Sequence, residues 1–288
     1  MDHPHKWIKW VLTESVKNGL GVLDGIEVTY FLPESLILIG IETLADLPAE
    51  EIAGLQVGCQ GVYREDIAPG GNFGAFTSNR PATAMKNYGC TWAIIGHSEE
   101  RKDKLGILEA YQPAIQTIPD NWNRAKAAVN SLIQQEAACA LRAGLKVLIC
   151  VGETADERGI GDLDKLRPRV EAVLREQVES SLPNSCDFDM PHHLVIGYEP
   201  VWAIGPGKTP PGADYIAFVS SYIKSVVKSS FGFDPEVVYG GGLKEENAGM
   251  IAKIGSISGG LVALTRFSGE IGFYPDDLKR IIDQYARA

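Results

Sequence analysis

The sequence predicts a single α/β domain built as a closed barrel of parallel strands, and three observations carry that reading. Short apolar runs alternate with helical patterns along the whole chain, the signature of repeated βα units. The runs are nearly continuous in Val, Ile and Leu, as strands buried on both faces require. Gln60, His97, Glu153, Glu199 and the glycines Gly240, Gly241 and Gly242 each fall at the carboxyl end of a run, where a barrel collects its chemistry. An open doubly wound sheet shares the first two features, and the third favours the barrel. A length of 288 residues suits one such domain, residues 1–288.

The chain opens on a helix, because Trp7, Ile8, Trp10, Val11, Val16 and Leu20 recur near helical spacing. Strands follow at 28–32, 55–59 and 92–95. Residues 108–129 form an insertion whose Pro113, Pro119 and polar side chains favour a surface excursion over a core element. Further strands are expected at 147–151 and, after a shorter expansion at 182–187, at 194–198. The last two are placed at 237–239 and 261–264. That makes seven strands, whereas a closed barrel of this kind has eight, and the gap lies at the front.

Composition narrows the partners. A net charge of -10 and a pI near 5.1 argue against binding a nucleic-acid backbone, although a local site for an anionic substrate is compatible with them. Cys59, Cys90, Cys139, Cys150 and Cys186 are odd in number and scattered, without paired metal-ligand spacing, so they read as reduced thiols of a cytoplasmic protein. No stretch is long and apolar enough to span a bilayer, and the first five residues are polar.

Two segments carry chemistry. Glu199 ends an apolar run and is followed by Pro200-Val201-Trp202, a stiff apolar stretch, and then by Gly205, Gly207, Lys208, Thr209 and Pro210. A carboxylate under a water-excluding lid gains proton affinity and suits abstraction of a proton next to a carbonyl. The glycines can bend and present backbone N–H groups to a phosphate. Gly207-Lys208-Thr209 also invites a nucleotide P-loop reading, but that motif needs a glycine where Trp202 stands. His97 is the one histidine at a strand end, and Ser98-Glu99 behind it has the composition of a helix start.

Taken together, Tyr198-Glu199-Pro200-Val201-Trp202-Ala203-Ile204-Gly205-Pro206-Gly207-Lys208-Thr209, Gly96-His97-Ser98-Glu99 and Tyr239-Gly240-Gly241-Gly242 closely resemble the triosephosphate isomerase family, over nearly the whole chain. The resemblance implies a TIM barrel that interconverts glyceraldehyde 3-phosphate and dihydroxyacetone phosphate with neither metal nor cofactor. It implies Glu199 as the base, and His97 as a neutral imidazole held so by a helix N-terminus. It implies a homodimer in which Thr77, following Gly74-Ala75-Phe76, reaches the partner's site.

The sequence also departs from the family pattern. The first strand, with its Asn-Trp-Lys-Met motif, has no counterpart before Met1, which would stand at the methionine of that motif; Lys6 and Lys9 lie within the helix instead. Glu99 matches the motif carboxylate that connects with the absent lysine. Of the phosphate loops, the backbone donors at Gly205, Gly241 and Gly242 are kept, but Gly242 stands where the family has a serine and loses its hydroxyl, and the last strand carries Ala263-Leu264 where the family has two glycines. Arg266 is expected to compensate by a charge-assisted contact to phosphate. Ser78-Asn79 and Glu100 replace both halves of the family's intersubunit ion pair. These departures leave two alternatives open: an isomerase of a four-carbon sugar phosphate such as erythrulose phosphate, and a non-catalytic homologue lacking the lysine.

Overall fold

A computed structural model describes residues 3–68, 70–72, 76–184, 188–205 and 207–288. Helix α1 (Pro4–Lys17) starts on a proline, whose missing N–H is no loss in the first turn, and buries Ile8, Val11, Leu12 and Ser15 at helical spacing. Strand β1 (Val28–Leu32) and helix α2 (Glu34–Ala45) complete the first unit. A Cβ on Gly40 of α2 would lie 2.7 Å from Leu32, so the missing side chain lets the helix settle on the sheet. Then follow β2 (Leu55–Cys59), α3 (Ala82–Asn87), β3 (Trp92–Ile95), α4 (Ser98–Tyr111) and α5 (Pro119–Arg142). The second half comprises β4 (Lys146–Val151), α6 (Ala155–Arg158), α7 (Leu163–Ser181), α8 (Met190–His193) and β5 (Leu194–Tyr198). It ends with α9 (Ala213–Phe231), β6 (Glu236–Tyr239), α10 (Glu245–Ala252), β7 (Gly259–Gly260) and α11 (Pro275–Ala286).

The seven strands pair in chain order, all parallel, from β1 to β7. Among the described residues β7 and β1 are not hydrogen-bonded to each other, so the sheet curls without closing. The helical layer does meet across that gap, where α11 packs against α1. Tyr30 of β1 makes an edge contact with Phe273 at 5.9 Å, Trp10 does the same with Tyr274, and the Tyr30 hydroxyl lies 2.6 Å from Ser15 Oγ of α1.

Burial follows from this geometry. Val28, Tyr30 and Leu32 of β1 are buried under helices, whereas Thr29 and Phe31, on the other face, are only half-buried. Gly58 opposite leaves room for the Phe31 ring, which would lie 2.7 Å from a Cβ there. Trp92, Ile94, Val195 and Val238 show the same partial exposure.

Two expectations need correction. The last strand is not at 261–264 but at Gly259–Gly260, and its ladder ends where Leu261 N–H donates to the Tyr239 carbonyl at 2.9 Å. Among the described residues no strand pairs with its far side to hold the backbone extended beyond that bond, and the chain turns into a loop closed by an antiparallel bridge between Arg266 and Gly272. The insertion at 108–129 is not a pure surface excursion either. Only one 3-10 turn, Ile115–Thr117, separates α4 from α5, and Ile115, Ala125 and Val129 are buried. Pro119 sits at the start of α5, where it is compatible with a helix.

Candidate active site

The site stands at the carboxyl ends of β3, β4, β5 and β6. After β3 the chain turns at Gly96, with φ +75°, a conformation that favours glycine. Arg101, half-buried behind the turn, donates to the Gly96 carbonyl at 2.7 Å, to Asn130 Oδ1 at 2.7 Å and to the Cys150 carbonyl at 3.0 Å, fastening the end of β3 to that of β4. His97 then caps α4, its Nδ1 accepting from the Glu99 N–H at 3.4 Å.

Glu199 continues the sheet beyond β5, its N–H donating to the Val151 carbonyl at 2.8 Å, and it is 3% exposed. Its carboxylate accepts from Ser98 N–H at 3.0 Å and from Ser98 Oγ at 3.2 Å, and lies 3.0 Å from His97 Nε2. The structure thus brings together the two residues that the sequence singled out. It adds Ser98, whose backbone N–H belongs to the positive first turn of α4 and suits an anion. With Nδ1 accepting, the neutral imidazole carries its proton on Nε2 and donates to Glu199.

The expectation that the helix N-terminus disfavours protonation of His97 is outweighed. The hydrogen bond to Glu199 raises the imidazole's proton affinity above its ordinary value; burial opposes this, and the Glu199, Glu99 and Glu100 charges reinforce it. Glu99 itself points into solvent, 91% exposed, 3.9 Å from His97 Nδ1.

Glu153, beyond β4, is fully buried and holds the start of the lid. Its Oε1 accepts from Trp202 Nε1 at 2.7 Å, Tyr215 OH at 2.7 Å and Tyr198 OH at 3.1 Å, while Oε2 has no hydrogen-bond partner. Burial raises its proton affinity against those three donors. The Arg158 guanidinium stacks 4.1 Å over the Trp202 ring. Gly152 is demanded by space, since a Cβ there would overlap the Glu199 carbonyl. The sequence marked Glu153 only by its place at a strand end, and Gly152 carried no signal of its own.

The glycine loops lie beside Glu199. A Cβ on Gly240 would be 3.1 Å from Glu199 Cγ, and one on Gly241 would run into the Tyr239 hydroxyl and the Pro200 ring. Tyr239 OH donates to the Gly241 carbonyl at 2.8 Å, pinning the loop. Gly242 and Gly205 have φ +92° and +118°, while Pro206 lies outside the described residues.

Arg266 is placed differently from its expected role. Its Nε donates to Asp277 Oδ2 at 2.6 Å, its Nη2 lies 3.3 Å from Asp276, and its guanidinium stacks 3.6 Å over Tyr274, so a phosphate would have to compete with two carboxylates. Thr77 is exposed on a turn closed by Asn79 N–H to the Phe76 carbonyl at 3.2 Å, with Ser78 at φ +65°. Gly74 and Ala75 of that motif lie outside the described residues, as does Cys186; the other four cysteines are free thiols. Among the described residues no group of His, Cys, Asp and Glu could hold a metal ion, and no helix is long and apolar enough to cross a membrane.

Comparison with known proteins shows the family to which the chain belongs. The family model described as triosephosphate isomerase matches residues 33–271. The triosephosphate isomerase of Xanthobacter autotrophicus is 33% identical over 233 residues, covering 80% of this chain and 74% of that protein. That of Lawsonia intracellularis is 31% identical over 261 residues, covering 85% and 87%. The crystal structure of triosephosphate isomerase from Bartonella henselae superposes with a TM-score of 0.65 at 25% identity, covering 95% of this chain and 93% of that one. The fold is therefore that of a TIM barrel, here with seven described strands, and the chain belongs to the triosephosphate isomerase family.

Proposed function

We propose that this chain interconverts glyceraldehyde 3-phosphate and dihydroxyacetone phosphate, with Glu199 carrying the proton and His97 polarising the oxygens. The observation behind this is a buried carboxylate 3.0 Å from an imidazole Nε2, at the ends of neighbouring parts of one sheet and beside glycine loops. A carbonyl oxygen placed against His97 Nε2–H makes the adjacent C–H acidic. Glu199 removes that proton, the hydroxyl proton passes from one oxygen of the enediolate to the other by way of His97 Nε2, and Glu199 returns its proton to the neighbouring carbon. Backbone N–H groups at Gly205, Gly241 and Gly242 would receive the phosphate, with Arg266 drawn in only if it leaves Asp276 and Asp277. Neither cofactor nor metal takes part.

Exchange of a substrate C–H with solvent deuterium, followed together with turnover, tests this reading. Glu199→Gln should abolish both, and Glu199→Asp should slow both through distance alone. Full turnover by Glu199→Gln would refute the assignment. Assaying erythrulose phosphate and the dephosphorylated sugars beside the triose phosphates tests substrate size and the need for the phosphate.

One observation favours the non-catalytic reading. Among the described residues neither Glu199 nor Glu99 has a lysine or arginine within ion-pair distance, so no cation pairs directly with either carboxylate that the family pattern sets beside its lysine. Binding of a triose phosphate without turnover would support it. We also propose a cytoplasmic homodimer, with Thr77 on an exposed turn suited to reaching a second copy; sedimentation of the Thr77→Asp chain beside the parent tests this.

A further inference from the structure

Glu100 stands where the family pattern has an arginine that bridges subunits, yet the structure turns its carboxylate inward. Glu100 Oε2 accepts the Gly96 N–H at 2.6 Å, and so grips the peptide that carries the turn into His97. Its other oxygen, Oε1, lies 2.6 Å from Lys104 Nζ, one helical turn along α4. The same ammonium lies 2.9 Å from Glu136 Oε1 on α5, the helix packed against α4. Two carboxylates therefore share one ammonium in a place where their side chains are only 22% and 8% exposed, with the lysine at 17%.

Such a trio is one positive charge short. Water cannot make up the difference in a buried site, so the inexpensive remedy is for one carboxyl to keep its proton. Glu136 is the member that keeps it. It is the more buried of the two, and its Oε2 has no hydrogen-bond partner, whereas both oxygens of Glu100 are already engaged by donors. Burial, then the hydrogen bond and charge of Glu100, push the Glu136 carboxyl up to about 8. The charged groups facing Glu136 are Glu100 and Lys104 of α4; Cys139, one turn along α5, is kept as a neutral thiol by burial. On the far side of Glu100, Arg101 and His97 feel its charge.

We propose that Glu100, Lys104 and Glu136 form a proton-holding relay that positions the Gly96–His97 turn, and that ionisation of Glu136 slackens this hold and slows the reaction. The kinetic part rests on the isomerase reading above; the positioning part does not. With Glu136 neutral, Lys104 serves Glu100, and Glu100 holds Gly96. With Glu136 ionised, Lys104 is divided between two anions that repel each other across the helix pair, and Glu100 is driven from the Gly96 N–H. Glu100, Lys104 and Glu136 are thus positioning residues, since none touches the reacting atoms.

The test is a titration of the whole chain by NMR, with 13C in the glutamate carboxyl groups and in glycine Cα, from about pH 6 to about pH 10, and kcat over the same range. The expected result is a Glu136 carboxyl step near 8 and a Gly96 Cα shift with the same midpoint. In the Glu136→Gln chain, which keeps the shape and cannot ionise, the Gly96 step should vanish. Above the midpoint kcat should fall to a lower plateau in the parent and lose that fall in Glu136→Gln. A purely structural role would change melting without moving a pH profile. The parent titration carries the test even if the variant fails to fold. A Glu136 step in the ordinary glutamate range, or a Gly96 signal that ignores it, would overturn the proposal. Coincident steps in a chain that turns over no triose phosphate would uphold the relay and overturn the isomerase reading.

Discussion

Replacing Gly152 by alanine perturbs the Glu199 carboxylate, the proposed base, without touching it. The added Cβ would overlap the Glu199 carbonyl, with backbone rather than a pliable side chain in its way. Relief requires the Glu199 peptide or the end of β4 to move by about an ångström or more, a shift that in catalytic groups costs on the order of 100-fold in rate. The same shift strains the bond from Glu199 N–H to the Val151 carbonyl and the pair of bonds between the Gly152 peptide and Gln177 at 2.9 and 3.0 Å. Overpacking of this kind typically costs about 1–3 kcal/mol. Urea unfolding should register that loss, turnover of glyceraldehyde 3-phosphate should fall about 100-fold, and the His97 imidazole should titrate lower as Glu199 leaves it. A Gly152→Ala chain with parental stability and an unmoved His97 titration would show that Gly152 does not set the position of Glu199.

The His97 imidazole should titrate above the ordinary histidine value in the parent and drop in Glu199→Gln, read from its ring resonances. The sign for stability follows: the His97–Glu199 contact contributes fully below the unfolded histidine value and is lost as pH rises through the folded one. Trp202→Phe removes one of three donors from the buried Glu153 carboxyl and should cost about 1–3 kcal/mol in urea unfolding; a change below about 0.5 kcal/mol would mean that the lid start is held by packing alone. A parallel strand ending in Asn-Trp-Lys, joined ahead of α1, should pair with the edges of β1 and β7 that no described strand covers and raise both the melting temperature and turnover. Equal melting and turnover would show that the contacts of Tyr30, Phe273, Trp10 and Tyr274 already close the molecule sufficiently.

Local patterning by itself determined the order of the elements and the strand ends on which the chemistry stands. Apolar runs at 28–32, 55–59, 92–95 and 194–198 became strands with those bounds, because a residue run buried on both faces announces itself without reference to anything distant. His97 and Glu199 were legible for the same reason, each being a polar residue at the point where such a run stops. Tertiary structure decided what lies between elements. Ser98 reads locally as a helix start, and becomes a clamp only because Glu199, 101 residues away, arrives within 3.0 Å. Arg266 reads as a free cation until Asp276 and Asp277 fold back on it. The last strand depends on whether another strand lies beside it, which its own residues do not encode. Even the direction of the His97 shift reversed, since a helix N-terminus is implied by sequence, but a carboxylate 3.0 Å from Nε2 exists only after folding and acts on the proton more strongly.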